Sequence, residues 1–121
     1  MGLKSFVVLA LVAATATPAL AGSCGYTYCW GAVGIGPGGA YGWSVGQRSE
    51  GNAISEAQSG CEGDCTNIRT FYNTCGAMAE APDGAWGFGW NADMRTAKSL
   101  ALGYCAENGY DCQLRAWACS K

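Results

Sequence analysis

Residues 39–45 read GAYGWSV and residues 84–90 read GAWGFGW, and this doubled phrase decides the fold. Sliding the chain by 45 residues lays GAVGIGPGGAYGWSV (31–45) over GAMAEAPDGAWGFGW (76–90). Gly31/Gly76, Ala32/Ala77, Pro37/Pro82, Gly39/Gly84, Ala40/Ala85 and Gly42/Gly87 are identical. Further on the offset drifts by a residue or two, and NIRTF (67–71) matches QLRAW (113–117), with Arg69 over Arg115. Self-similarity at such a period marks a repeated supersecondary unit.

Each unit reads as β-β-α-β. Two strand-like runs flank Pro37-Gly38-Gly39 in the first copy and Pro82-Asp83-Gly84 in the second, which are hairpin turns. The second strand alternates at period two. Tyr41, Trp43 and Val45 oppose Ala40, Gly42, Ser44 and Gly46, while Trp86, Phe88 and Trp90 oppose Ala85, Gly87 and Gly89. A helix follows, with Ser49 and Asp93 as matched N-cap residues. Its buried stripe is Ala53, Ala57, Cys61 in one copy and Ala97, Ala101, Cys105 in the other, with Met94 and Tyr104 widening the second. The expected packing puts the aromatic side of the strand against its helix and leaves the Gly/Ala side for close backbone approach. Trp43, Trp86, Phe88, Trp117 and Phe71 are then core residues, because burying such a ring is worth roughly 2 to 3 kcal/mol.

The fold class expected is α+β: a tandem β-β-α-β duplication whose strands join one mainly antiparallel sheet with two helices, stapled by disulfides. Residues 1–21 read as a signal peptide, with a basic start, an apolar run and an Ala19-Leu20-Ala21 cleavage site. The apolar run is shorter than the ~20 residues of a spanning helix. Residues 22–121 form a single domain: a lead (22–29), repeat one (30–74) and repeat two (75–121). The expected location is periplasmic or secreted, after cleavage near Ala21.

All eight cysteines follow that site, an even number in an exported chain, so four disulfides are expected. Cys61 with Cys65 and Cys105 with Cys112 would clip each helix end to the next strand. Cys75 with Cys119 and Cys24 with Cys29 would take the rest, although eight cysteines permit roughly a hundred connectivities and spacing does not choose among them. Zinc is a poor rival, since the Cys-x3-Cys and Cys-x6-Cys spacings miss the usual ligand pattern and the chain has no His. A lipid anchor on Cys24 would leave an odd cysteine. Neither a metal nor a cofactor is expected.

Without Lys4 the chain keeps six basic and nine acidic side chains, which gives no electrostatic footprint for nucleic acid. The match of Gly34–Gly39 to a G-x-G-x-x-G pattern fails as a dinucleotide fingerprint, because the stretch opens a strand rather than a helix. Glu80 and Asp83 are the one carboxylate pair to weigh for a small hydrolase, but they flank a turn where acidic residues are common.

Two sets of residues are candidates for binding. Arg69 and Arg115 each interrupt a strand, with Phe71 and Trp117 two residues on. They read either as a pair of anion or carboxylate receptors or as structural arginines, paired with Asp64 or Asp111 or stacked on the neighbouring ring. Tyr26, Tyr28 and Trp30 alternate in the lead as one face of a short strand, which suits protein hot spots and sugar stacking alike.

The WGA and GAYGWS run, then CGAMA with DGAWGFGW, a helix ending in Cys, and DC before the last strand resemble the bacterial family called domain of unknown function 4189. The likeness covers residues 30 to 120. It implies an exported bacterial protein of no established activity, and it carries no catalytic residues. The CGYTYC lead, with Cys24 and Cys29, departs from the pattern. The leading functional expectation is a non-catalytic protein-interaction module of inhibitor, immunity or host-contact type, with a protein partner in the envelope or outside the cell. A glycan or cell-wall binder is the alternative, and a small hydrolase the third.

Overall fold

The alternation seen in the sequence becomes two unlike faces on every sheet, and those faces sort the molecule into layers. The computed structural model describes residues 22–121, so the expected signal peptide and its cleavage site lie outside the described residues. The first unit contains β1 (Trp30–Ile35), β2 (Tyr41–Gln47), α1 (Glu50–Gly60) and β3 (Asn67–Tyr72). The second contains β4 (Thr74–Glu80), β5 (Trp86–Asn91), α2 (Met94–Ala106) and β6 (Gln113–Ser120). The β-β-α-β order is thus observed twice.

All strand pairing is antiparallel, but the strands form two sheets of three rather than one: β2-β1-β3 and β5-β4-β6. Each unit closes its own sheet, because its third strand returns beside its first. The tight Pro37–Gly39 turn relies on glycine, with φ of 72° at Gly38 and 81° at Gly39.

The helices start where expected. The Ser49 side chain accepts from the Asn52 N–H at 3.1 Å, and the Asp93 carboxylate accepts from the Thr96 N–H at 3.0 Å. Ala53 and Ala57 of α1 and Ala97, Ala101 and Cys105 of α2 are buried. Tyr104 is exposed and does not widen the buried face of α2.

The helices pack on the opposite side of the strands from the one expected. A Cβ at Gly42 would run into the Ala57 carbonyl oxygen, and one at Gly87 or Gly89 would strike the α2 backbone. The Gly/Ala face therefore receives the helix. Backbone against backbone is the closest contact available, and only a face without large side chains permits it. Ser44, on that face, donates a buried hydrogen bond of 2.7 Å to the Ala53 carbonyl.

The larger side chains then meet between the sheets. Val33, Ile35, Phe71, Met78, Ala116 and Ala118 form this central cluster, with Val45, Trp86 and Phe88 partly buried against it. Phe71 is its key: a Cβ at Gly31 or at Gly76 would collide with the Phe71 ring, so one glycine from each sheet makes its space. The result is a helix-sheet-sheet-helix sandwich in which β6 lies close against β2 and β1, while β3 and β5 meet through their side chains. Gly46 N–H donates to Ser120 Oγ at 2.9 Å and ties β2 to β6. Of the five expected core aromatics, Phe71 is buried and Trp86 and Phe88 are half-buried, whereas Trp43 and Trp117 are exposed. Trp43 and Trp117 stand on edge strands, where the layer above ends.

The four disulfides are Cys24–Cys29, Cys61–Cys65, Cys75–Cys119 and Cys105–Cys112. Cys61–Cys65 and Cys105–Cys112 clip the helix ends, and Cys75–Cys119 bridges β4 to β6. Four disulfides suit an oxidising compartment such as the periplasm or the outside of the cell. No helix among the described residues is long and apolar enough to cross a membrane.

Candidate functional site

The corner between β3 and β4 carries the site. Asn73 sits there with φ of 54°, a left-handed conformation that asparagine tolerates better than most residues. Its Oδ1 accepts from the Cys29 N–H at 2.9 Å, and its Nδ2 donates to the Thr27 carbonyl at 3.1 Å. One carboxamide thereby holds the lead against the corner. The Cys24–Cys29 disulfide and a hydrogen bond from Ser23 Oγ to the Lys121 carbonyl complete the clamp.

The lead is a series of bends rather than a strand, and β1 begins only at Trp30. A disulfide across five positions pulls the segment into a loop, which period-two reading does not reveal. The aromatic row is therefore rebuilt with a different member. Tyr28 packs edge-on against Tyr72, with ring centroids 5.0 Å apart, and Trp30 packs tilted against Tyr72 at 4.9 Å. Among the described residues Tyr26 is exposed but joins no such ring pair.

Trp30 and Tyr72 wall a cleft of about 750 Å³ that Trp90 of β5 also lines, with Glu50, Thr70, Asn73, Thr74 and Asn91 as its polar members. Trp90 is 62 % exposed, an unusual cost for so large an apolar ring. Glu50 accepts from the Thr70 hydroxyl, and Asn91 Oδ1 accepts from the Asp93 N–H at 2.9 Å. The cleft thus has aromatic walls and a fixed polar margin. Reading the sequence missed Tyr72 and Trp90 as site residues. Tyr72 was legible only through register, which sets it directly opposite Trp30.

The structure separates the two arginines. Arg69 pairs with Val33 in β1, and its guanidinium lies 4.8 Å from the centroid of the Trp86 ring in the other unit. It stacks on a ring, but on one from β5 rather than on neighbouring Phe71. Arg115 has no partner position: Met78 pairs with Ala116 and Ala79 with Leu114, so Arg115 is the extra residue of a β-bulge. It pairs with Glu80, Nε to Oε1 at 3.7 Å, rather than with Asp111. Trp117 is covered instead by Lys98, whose Nζ is 4.6 Å from its ring centroid.

The two carboxylates weighed for hydrolysis are engaged at separate points. Glu80 faces Arg115, and Asp83 accepts from the Ala85 N–H at 3.2 Å within its turn. Among the described residues no group of three His, Cys, Asp or Glu side chains converges as a metal site.

The Asp93 carboxyl is held below its usual value of 3.8, first by the Thr96 hydroxyl and then by the Thr96 N–H, with smaller contributions from Arg95 and Lys121. This is a helix cap next to the cleft rather than part of its chemistry.

Comparison with known proteins agrees with the layered fold. A solved structure, the NMR structure of Rv1813c from Mycobacterium tuberculosis, is similar at a TM-score of 0.58 and 28 % identity, covering 76 % of this chain and 75 % of that chain. No curated protein matches the sequence. The model of the family described as domain of unknown function (DUF4189) matches residues 30–119, nearly all of both units, and the chain belongs to that family.

Proposed function

We propose that this protein is a non-catalytic exported binding module that receives an apolar side chain of a protein partner in the Trp30–Tyr72–Trp90 cleft. The observation that carries the reading is Trp90, 62 % exposed at the rim of a cleft already walled by two tilted rings. Rigid aromatic rings present large area at little conformational cost, which is why Trp and Tyr dominate binding hot spots. Trp30 and Tyr72 are inclined by 56° and make a notch rather than a flat platform. A notch suits a compact side chain, whereas stacked sugars favour a flat face. An inhibitor, immunity or host-contact role would use such a notch. Tyr26 is left out of this reading, and Tyr28 supports it by packing behind Tyr72.

The test is site-specific photo-crosslinking of the exported protein. A benzophenone side chain at position 92, exposed on the lining of the same cleft, should yield one discrete protein adduct that Tyr72→Ala abolishes, while the same probe at position 110, 75 % exposed elsewhere, should not. Equal adducts from both positions, or none from position 92, would sink the proposal. Co-sedimentation with purified cell-wall polymer, lost in Trp90→Ala, would instead favour the glycan reading.

A further inference from the structure

The duplication provides a comparison within one molecule, because the sandwich has two seams built from corresponding strands. At the β3/β5 seam Arg69 covers Trp86, and Phe71 packs 6.4 Å from Phe88 between ring centroids. At the β6/β2 seam the strand registers put Ala116 and Ala118 where the first seam has Arg69 and Phe71, and Tyr41 and Trp43 where it has Trp86 and Phe88. Two alanines cannot cover two rings. Tyr41 and Trp43 are accordingly 54 % and 53 % exposed, and a groove of about 420 Å³ opens beside them, lined also by Leu114, Arg115 and Trp117.

The bulge adds the charge. It turns out Arg115 as an extra residue in this groove, while the arginine of the other seam is spent on a ring. The contact of Arg115 with Glu80 runs through Nε at 3.7 Å, beyond hydrogen-bond reach, and leaves the paired Nη hydrogens for another acceptor. A planar guanidinium offers a carboxylate two parallel hydrogen bonds. Both β2 and β6 are edge strands, so the groove is bordered by backbone donors and acceptors that can pair with an added extended segment.

We infer that the β2/β6 groove binds the free C-terminus of an extended peptide. The terminal carboxylate sits on Arg115, and the last apolar side chain lies against Tyr41 and Trp43. This site lies at the opposite edge of the sandwich from the Trp90 cleft and stands or falls independently of it.

The experiment is equilibrium dialysis of the oxidised protein against fluorescein-labelled pools of degenerate tetrapeptides. One pool carries a free C-terminus, one is amidated, and one is amidated with an internal Asp. The free-acid pool should be retained, with retention falling at least tenfold on amidation and on Arg115→Gln, and unchanged by Arg69→Gln. Trp43→Ala should lower it as well, so the site is tested even where Arg115→Gln perturbs the fold. Absence of retention of the free-acid pool, or equal retention of all three pools, overturns the inference. Equal retention of the internal-Asp and free-acid pools, both above the plain amide, overturns the C-terminal assignment.

Discussion

Trp30 and Tyr72 face each other across β1 and β3 at the pair of positions where the second unit carries the Cys75–Cys119 disulfide across β4 and β6. One copy of the repeat closes this end of its sheet covalently, and the other closes it with two rings. The covalent closure leaves little to bind, while the aromatic one leaves two faces beside the cleft. The position that staples the second unit is the one that equips the first.

That pair should be measurably coupled. A double-mutant cycle of Trp30→Ala and Tyr72→Ala in urea denaturation should give a coupling of roughly 0.5 to 1.5 kcal/mol, the usual range for aromatic pairs. Additive effects would mean that the rings are neighbours without interaction.

The disulfides should differ in value because they close unlike loops. Cys75–Cys119 spans 44 residues and Cys61–Cys65 spans 4. Loop-closure entropy then gives about 4 kcal/mol for the first and about 2 kcal/mol for the second. Paired Cys→Ala variants compared by guanidinium denaturation should show that order, and equal losses would refute it.

A glycine inside a helix contact and one outside any contact should respond with opposite sign. Gly42→Ala drives a methyl into the α1 backbone and should cost about 1 to 3 kcal/mol. Gly103→Ala places a methyl in open space on α2 and should stabilise by about 0.5 to 1 kcal/mol. Thermal melts of the two variants are sufficient, and shifts in the same direction would contradict the packing described.

Asn73→Ala should loosen the lead, since it removes an acceptor from the Cys29 N–H and puts alanine at a left-handed φ. A loss of about 1 to 3 kcal/mol is expected, together with faster amide exchange at Cys29. Unchanged exchange there would show that the disulfide alone orders the segment.

Asp93 links α2 to pH. Its folded pKa is depressed below 3.8, so its contribution is complete above the unfolded value and is lost as pH falls through the folded one. Acidification below the ordinary aspartate range should fray the first turn of α2, followed by the Thr96 amide resonance. Asp93→Asn, which still caps a helix, should flatten that response. A Thr96 shift that persists in Asp93→Asn would assign the titration to another group.

The duplication, the order of elements, both N-caps and the alanine stripes were legible in the sequence, because each rests on residues near one another in the chain. Ser49 and Asp93 bond their own helices, and Ala97 and Ala101 are a turn apart. The four candidate cysteine pairs are the ones the fold contains, although spacing did not choose among the connectivities; three of them are local, closing 5, 4 and 7 residues. Alternation likewise showed that Tyr41 and Gly42 belong to different faces, but not what would cover each face.

That was decided by the tertiary structure. Glycine at 42, 87 and 89 lets helix backbone approach more closely than any ring could, so the helices took the bare side, and the second copy of the sheet was left to cover the aromatic side. A one-residue bulge opposite Met78 and Ala79 freed Arg115 from the role of Arg69, and strand register brought Tyr72 to Trp30. Composition and period set how many layers a chain can build and what each surface is made of. Which surfaces meet depends on how closely two layers can approach, and that distance is fixed only when both are present.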